Sequence, residues 1–272
     1  MGDTKGGPVY RGLGKIPDQV LLLFASLVYL FLYAPIMVLV FFSFNSTKST
    51  QVWTGFSTQW YGELIRDGSV LGAFKISLIV GLTATAIATV IGTLTALALS
   101  RHDFRGKTFA DSAIYAATVM PEIVVGVSLL VFFVAATVEL GIVTIIIAHV
   151  AFCISFVTIV VRARLSGMDR SVEEAAQDLG ATPVQTFLRV TLPLILPGVM
   201  AGALLAFTLS FDDFVITFFV AGVGSSTLPL KIYSMIKFGV SPVINALSTV
   251  VMVSTMVLIL GGSRFLTRRE NA

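Results

Sequence analysis

Six long apolar runs alternate with short polar segments along the chain, at roughly 19–43, 71–99, 110–137, 141–161, 194–221 and 242–264. Each holds about 20 residues or more, the length a helix needs to cross a hydrocarbon core of about 30 Å. The pattern predicts an all-α integral membrane fold with six transmembrane helices. The first run is too long for the apolar part of a cleaved signal peptide and lacks a clear small-residue cleavage site, so it reads as a retained span. Two polar stretches, 44–70 and 222–241, form outer loops, and RHDFRGK (101–107) is a tight return between spans two and three. Within the outer loops WYGELI and LPLKIYSMIK read as short helices, and Trp53, Trp60 and Tyr61 suit a membrane–water interface.

Composition removes the soluble alternative. Of 272 residues, 56% are hydrophobic and 12% charged, against about a quarter charged in an average soluble domain. Six spans put both termini on one side. Thirteen of the 18 Lys and Arg fall there, at Lys5, Arg11 and Lys15, at Arg101, Arg105 and Lys107, at Arg162, Arg164, Arg170 and Arg189, and at Arg264, Arg268 and Arg269. The positive-inside rule makes that side cytoplasmic. The chain therefore divides into a Gly-rich cytoplasmic tail (1–18), a transmembrane domain (19–264) with a cytoplasmic loop at 162–193, and a cytoplasmic C-terminal tail (265–272). The net charge of +3 follows from this bias, and no basic stripe with interleaved aromatics points to nucleic acid. Cys153 stands alone in a span, so it offers no intrachain disulfide and no metal cluster.

The loop SVEEAAQDLGATPVQTFLRVTLPLILP (171–197) is the most patterned part of the chain. Ser171 and Glu174 have the spacing of a capping box, predicting a helix from Val172 to about Leu179 that stops at Gly180. Thr182-Pro183-Val184-Gln185 repeats the logic, with Pro at the first helical position. Leu192-Pro193 then ends the second helix, and Pro197 marks entry into span five. Singly these residues have bland readings: Glu174 caps, Ala175 and Ala176 favour helix, and Gly180 stops it. Their combined spacing specifies two short helices meeting at a Gly-centred turn, a rigid knob suited to a groove on a partner.

The chain carries no engine of its own. A phosphate loop needs G-x-x-x-x-G-K-[ST]; Gly106-Lys107-Thr108 supplies its end, but Arg101 stands where the first Gly belongs. No G-x-S-x-G elbow, H-E-x-x-H pair or nucleophile–base set appears. The reading is a non-enzyme that binds no cofactor.

Ionisable residues inside spans are costly and usually face a cavity or a partner. Glu122, Asp212 and Asp213 are the clearest cases, while Asp111 and Glu139 sit at span ends. Counting about 1.5 Å per residue puts Glu122 and Asp212 roughly 18 and 22 Å from the cytoplasmic ends of their spans. Pro121 breaks the helix just before Glu122. These carboxylates read either as an acidic ring that accepts a cation or as local caps and interhelical bonds. Adjacent helical residues point about 100° apart, so one of Asp212 and Asp213 faces the pathway and the other bonds a neighbouring helix; which is which stays open. His149 reads as a packed, interhelical hydrogen-bonding residue. Embedded charge of one sign favours an organic cation over an anion.

Glu174-Ala175-Ala176, Gly180 and Val190-Thr191-Leu192-Pro193 resemble the EAA loop of ABC importer permeases, with Val190 at a position where Ile is common. MPEIVVGVSLLVFF (120–133), EEAAQDLGAT (173–182), LAFTLSFDDFVITFFVAG (205–222), TLPLKIYSMIKFGVSPVINALST (227–249), FNS (44–46) and WYGEL (60–64) sharpen this. Together they resemble the spermidine/putrescine ABC importer permeases over roughly 20–260. The resemblance implies a type I importer fold in a bacterial inner membrane. It also implies partners: a second related permease, an ATPase dimer that holds ATP and Mg, and an extracytoplasmic polyamine-binding protein. It assigns ATPase coupling to Glu174, Ala175, Ala176 and Gly180, and the substrate pathway to Glu122, Asp212 and Asp213. Related permeases for an opine, an amino-acid derivative or ferric ion stay open as alternatives. A stand-alone channel or proton-coupled carrier would leave the loop without a purpose.

Overall fold

Three long helices each bury a ridge of residues at every fourth position. In α3 (Gly68–Arg101) the ridge is Val80, Ala84, Ala88, Gly92 and Ala96. In α6 (Ile142–Ser166) it is Ile145, His149, Cys153, Val157, Val161 and Leu165. In α9 (Leu192–Asp212) it is Gly198, Gly202, Ala206 and Ser210. Ridges of this spacing interdigitate, and small side chains bring backbones close where lipid offers no hydrophobic drive. The three helices accordingly pack on one another and form the main core.

The computed structural model describes residues 18–49, 52–237, 239 and 241–270, with 258–270 as backbone only. The expected N-terminal tail therefore lies outside the described residues, except for Asp18. The remaining elements are α1 (Asp18–Phe42), α2 (Gln59–Arg66), α4 (Lys107–Val119), α5 (Glu122–Ala135), α7 (Ser171–Asp178), α8 (Pro183–Thr186), α10 (Val215–Val220), α11 (Leu228–Lys237) and α12 (Pro242–Glu270). Both outer-loop helices expected from the sequence are present, as α2 and α11. Trp60 is buried within the protein, and its Nε1 donates to the Asn45 carbonyl at 2.6 Å.

Among the described residues, four helices are long and apolar enough to cross a membrane: Gln19–Phe42, Gly68–Arg101, Ile142–Ser166 and Pro183–Asp212. The expected third span is instead two helices, α4 and α5, bent by 112°. Pro121 explains the break, because it forces Met120 into an extended conformation (ψ 130°) and lacks an amide hydrogen. Counted as one span, the bent pair makes a fifth. The α12 helix covers the sixth expected run, its apolar described part being Pro242–Val257.

Span five also differs from expectation. It begins at Pro183 and stops at Asp212, and α10 follows after a break. Leu192-Pro193 does not end the second loop helix. The chain passes through both residues by widening Phe187–Thr191 into a π turn. Proline removes one backbone donor and its ring crowds the carbonyl four residues earlier, here Arg189; a wider turn relieves that clash. The second loop helix and span five are thus one continuous rod.

Candidate functional site

The three carboxylates singled out in the sequence lie at the two helix breaks. At the α9–α10 break, Asp213 Oδ2 accepts from the Thr217 amide and hydroxyl, each at 2.8 Å, and Oδ1 accepts from the Ile216 amide at 3.2 Å. Asp213 thereby satisfies the orphan donors that open α10. His149 reaches across from α6, with Nε2 3.1 Å from Asp213 Oδ2 and Nδ1 2.7 Å from Ser210 Oγ. This buried cluster gives His149 the interhelical role expected of it, and makes Asp213 the member of the pair that bonds a neighbouring helix.

Asp212 points the other way. It is exposed at the last position of α9 and lines a cavity of about 250 Å³ with Phe211, Phe214, Leu228, Ile232 and Tyr233. The rings of Phe214 and Tyr233 lie 4.6 Å apart between centroids, so α11 supplies the facing wall. One carboxylate among aromatic faces is an environment that attracts an alkylammonium group. Sequence reasoning selected the aspartate but neither Phe214 nor Tyr233, since no spacing rule links α11 to the end of α9.

Glu122 is exposed at the first turn of α5, where the helix dipole favours a negative charge. The 112° bend removes the straight-helix basis for its expected depth. The α5 helix packs against α10, brought close by Gly126, whose added Cβ would sit 2.8 Å from Phe219 Cδ2. Asp213 lies within electrostatic reach of both Glu122 and Asp212, and of the three acids Asp212 lines the cavity.

The knob at 171–193 is built from two short helices, α7 and α8. Ser171 is not the cap expected: it is the first helical residue of α7, because Arg170 already has helical dihedrals. Asp169 Oδ1 instead accepts from the Ser171 amide at 3.0 Å, which holds the Asp169 carboxyl below the ordinary aspartate value. At the other end Gly180 takes φ +89°, as its position requires. The Gly180 amide donates to Gln177 and the Ala181 amide to Ala176, closing a Schellman turn. Thr182 and Gln185 form the expected capping box at 3.0 and 3.3 Å. Leu179 at the turn is 90% exposed, with Val172, Val184 and Leu188 also exposed. Glu174 and Ala175 share the exposed side, and Ala176 is half-buried. Glu173, which the sequence reading passed over, turns inward to Arg101 and Thr191.

A model of the family described as binding-protein-dependent transport system inner membrane component matches residues 88–269. The chain belongs to this family. It is thus a multi-pass inner-membrane permease component of an ABC transporter, working with a binding protein and an ATPase, and it is not itself catalytic. Among its relatives, the putrescine transport system permease protein PotI of Escherichia coli (strain K12) is 47% identical over 229 residues, 82% of each chain. The spermidine/putrescine transport system permease protein PotC of the same organism is 43% identical over 237 residues, 87% of this chain and 90% of the relative. PotC of Haemophilus influenzae is 41% identical over 248 residues, 91% and 96% of the two chains. Among solved structures, a bacterial ABC transporter for import of the acidic polysaccharide alginate superposes with TM-score 0.72 at 16% identity, covering 96% of this permease and 99% of that chain. The MetNI methionine ABC transporter gives TM-score 0.62 at 18% identity, covering 79% and 99%. These two show the shared importer fold.

Proposed function

We propose that this permease carries polyamines, putrescine or spermidine, into the cytoplasm. The carrying observation is its 41–47% identity, over more than four fifths of the chain, to permeases named for those substrates. The Asp212 cavity supports the same reading, because a carboxylate ringed by Phe211, Phe214 and Tyr233 matches a terminal ammonium on an alkyl chain. Glu122 and Asp213 add negative charge beside it.

In this reading the chain has six spans with both termini cytoplasmic and turns the α7–α8 knob toward the ATPase, a sidedness that the Lys and Arg bias supports. The working assembly comprises this chain, a second related permease, an ATPase dimer with ATP and Mg, and an extracytoplasmic binding protein. Exposed Leu179, Val184 and Glu174 dock on the ATPase, with Ala175, Ala176 and Gly180 setting the shape of the knob. The binding protein delivers substrate, closure of the ATPase dimer moves the knob, and the permease pair alternates access to the acidic cluster.

The test is uptake of labelled putrescine and spermidine at sub-micromolar concentration in cells with and without this gene, the rest of its transport system intact. Loss of uptake, restored by the wild-type gene but not by Glu174→Arg, is the expected result. Unchanged uptake of both amines would overturn the substrate assignment and return it to other small solutes.

A further inference from the structure

The cytoplasmic end of α3 is tied to α7 by contacts that the docking surface does not use. Arg101, the last residue of α3, places Nη2 3.1 Å from Glu173 Oε2, both side chains being largely buried. Glu173 Oε1 accepts from Thr191 Oγ1 at 2.7 Å, and Thr191 closes the π turn that leads into α9. Beside them, Arg170 Nη2 donates to the Ser100 carbonyl at 2.9 Å. One carboxylate on α7 therefore joins the ends of two of the three core helices.

The pair is also unsaturated. Arg101 Nε and Nη2 are shielded from solvent without an aligned hydrogen-bond acceptor among the described residues. A bidentate guanidinium–carboxylate fork would fix the geometry, whereas an ion pair with spare donors can exchange partners when α7 shifts. Because α3 packs along both α6 and α9, a force applied at Arg101 enters the whole core.

We infer that Arg101 and Glu173 are a positioning pair, a latch inside this subunit that transmits movement of the docked knob to α3. The inference rests on the reading that an ATPase engages α7 and α8. It predicts that the pair governs coupling of transport to hydrolysis, not docking itself.

The test uses the full transporter in proteoliposomes, with the partner permease, ATPase and binding protein present. Arg101→Glu, Glu173→Arg, their exchange in one protein, and Glu173→Gln are compared for ATPase co-purification and for hydrolysis with and without substrate-loaded binding protein. Each single variant is expected to retain the ATPase but lose stimulation by the binding protein about tenfold, within the roughly 5- to 150-fold range of inter-site coupling. The exchange restores stimulation. Glu173→Gln, with an unchanged melting temperature, reproduces the loss even where a charge reversal fails to assemble. Wild-type stimulation in Glu173→Gln, or no recovery in the exchange once it has assembled, would overturn the latch. A wild-type permease that binds no ATPase would overturn the importer reading beneath it.

Discussion

His149 Nε2 lies 3.1 Å from Asp213 Oδ2, joining α6 to the break between α9 and α10. The same carboxylate accepts from the Ile216 and Thr217 amides, so its removal orphans several buried donors at once. Each orphan costs about 1–3 kcal/mol, and each kcal/mol shifts the melting temperature by about 2–4 °C at this size. Asp213→Ala should therefore lower the melting temperature of the purified complex by several degrees. An unchanged transition would show that α10 does not depend on this cap.

Asp212 makes the opposite forecast. It is exposed toward the aromatic cavity, so Asp212→Asn should leave the melting temperature in place while raising the apparent KM for putrescine. A tenfold rise corresponds to about 1.4 kcal/mol. Glu122→Gln should act in the same direction by a smaller factor, because Glu122 does not line that cavity. Initial-rate uptake across a substrate series measures both, and normal kinetics in both variants would remove the acidic cluster from the pathway.

Gly126 marks the point where α5 meets α10. A side chain there would press on Phe219 Cδ2 at 2.8 Å and on the Ile216 backbone at 3.3 Å. Overpacking of this kind costs about 1–3 kcal/mol. Gly126→Val should lower the melting temperature, and should also reduce uptake, because it displaces the helix that carries Glu122.

Gly180 holds a left-handed conformation at the tip of the knob, φ +89°. A side chain in that conformation costs about 1–2 kcal/mol. Gly180→Val should loosen the turn and weaken ATPase co-purification while membrane insertion persists. Quantitative pull-down from gentle detergent gives the readout.

Asp67 caps α3 by accepting from the Ser69 amide at 2.8 Å and the Ser69 hydroxyl at 2.6 Å. Those hydrogen bonds, the hydroxyl first, lower its carboxyl below the ordinary aspartate value. A lowered folded-state value means that the cap is fully stabilising above the unfolded aspartate range and is lost as pH falls through the folded one. Loss of a cap costs about 1 kcal/mol. Asp67→Ala should thus melt below wild type at pH 7, and the gap should close on acidification through that range.

Much of this was legible in the sequence because it rests on local chemistry. The Pro121 break, the Gly180 turn, the Thr182–Gln185 box and helices α2 and α11 follow from residue types a few positions apart. The acids at membrane depth stood out by the cost of placing charge among apolar residues. Ser171 misled because Asp169, two residues earlier, accepts from the Ser171 amide, the donor that the Glu174 carboxylate would take in a capping box. Pro193 misled because a π turn can carry a helix past a proline. The facing of Asp212 and Asp213, the aromatic wall from α11 and the Arg101–Glu173 contact depend on packing between residues far apart in the chain, where no periodicity reports.

The uninterrupted course from Pro183 through the π turn to Asp212 makes a lever. Thirty residues at about 1.5 Å each give an arm of about 45 Å. A tilt of about 10° at the Pro183 end would swing the far end by about 8 Å on that arm, enough to carry Asp212 away from Tyr233 on α11. On the proposed function, stroke at the knob and grip at Asp212 belong to one mechanical part, and hydrolysis would advance the one only by changing what the other can hold.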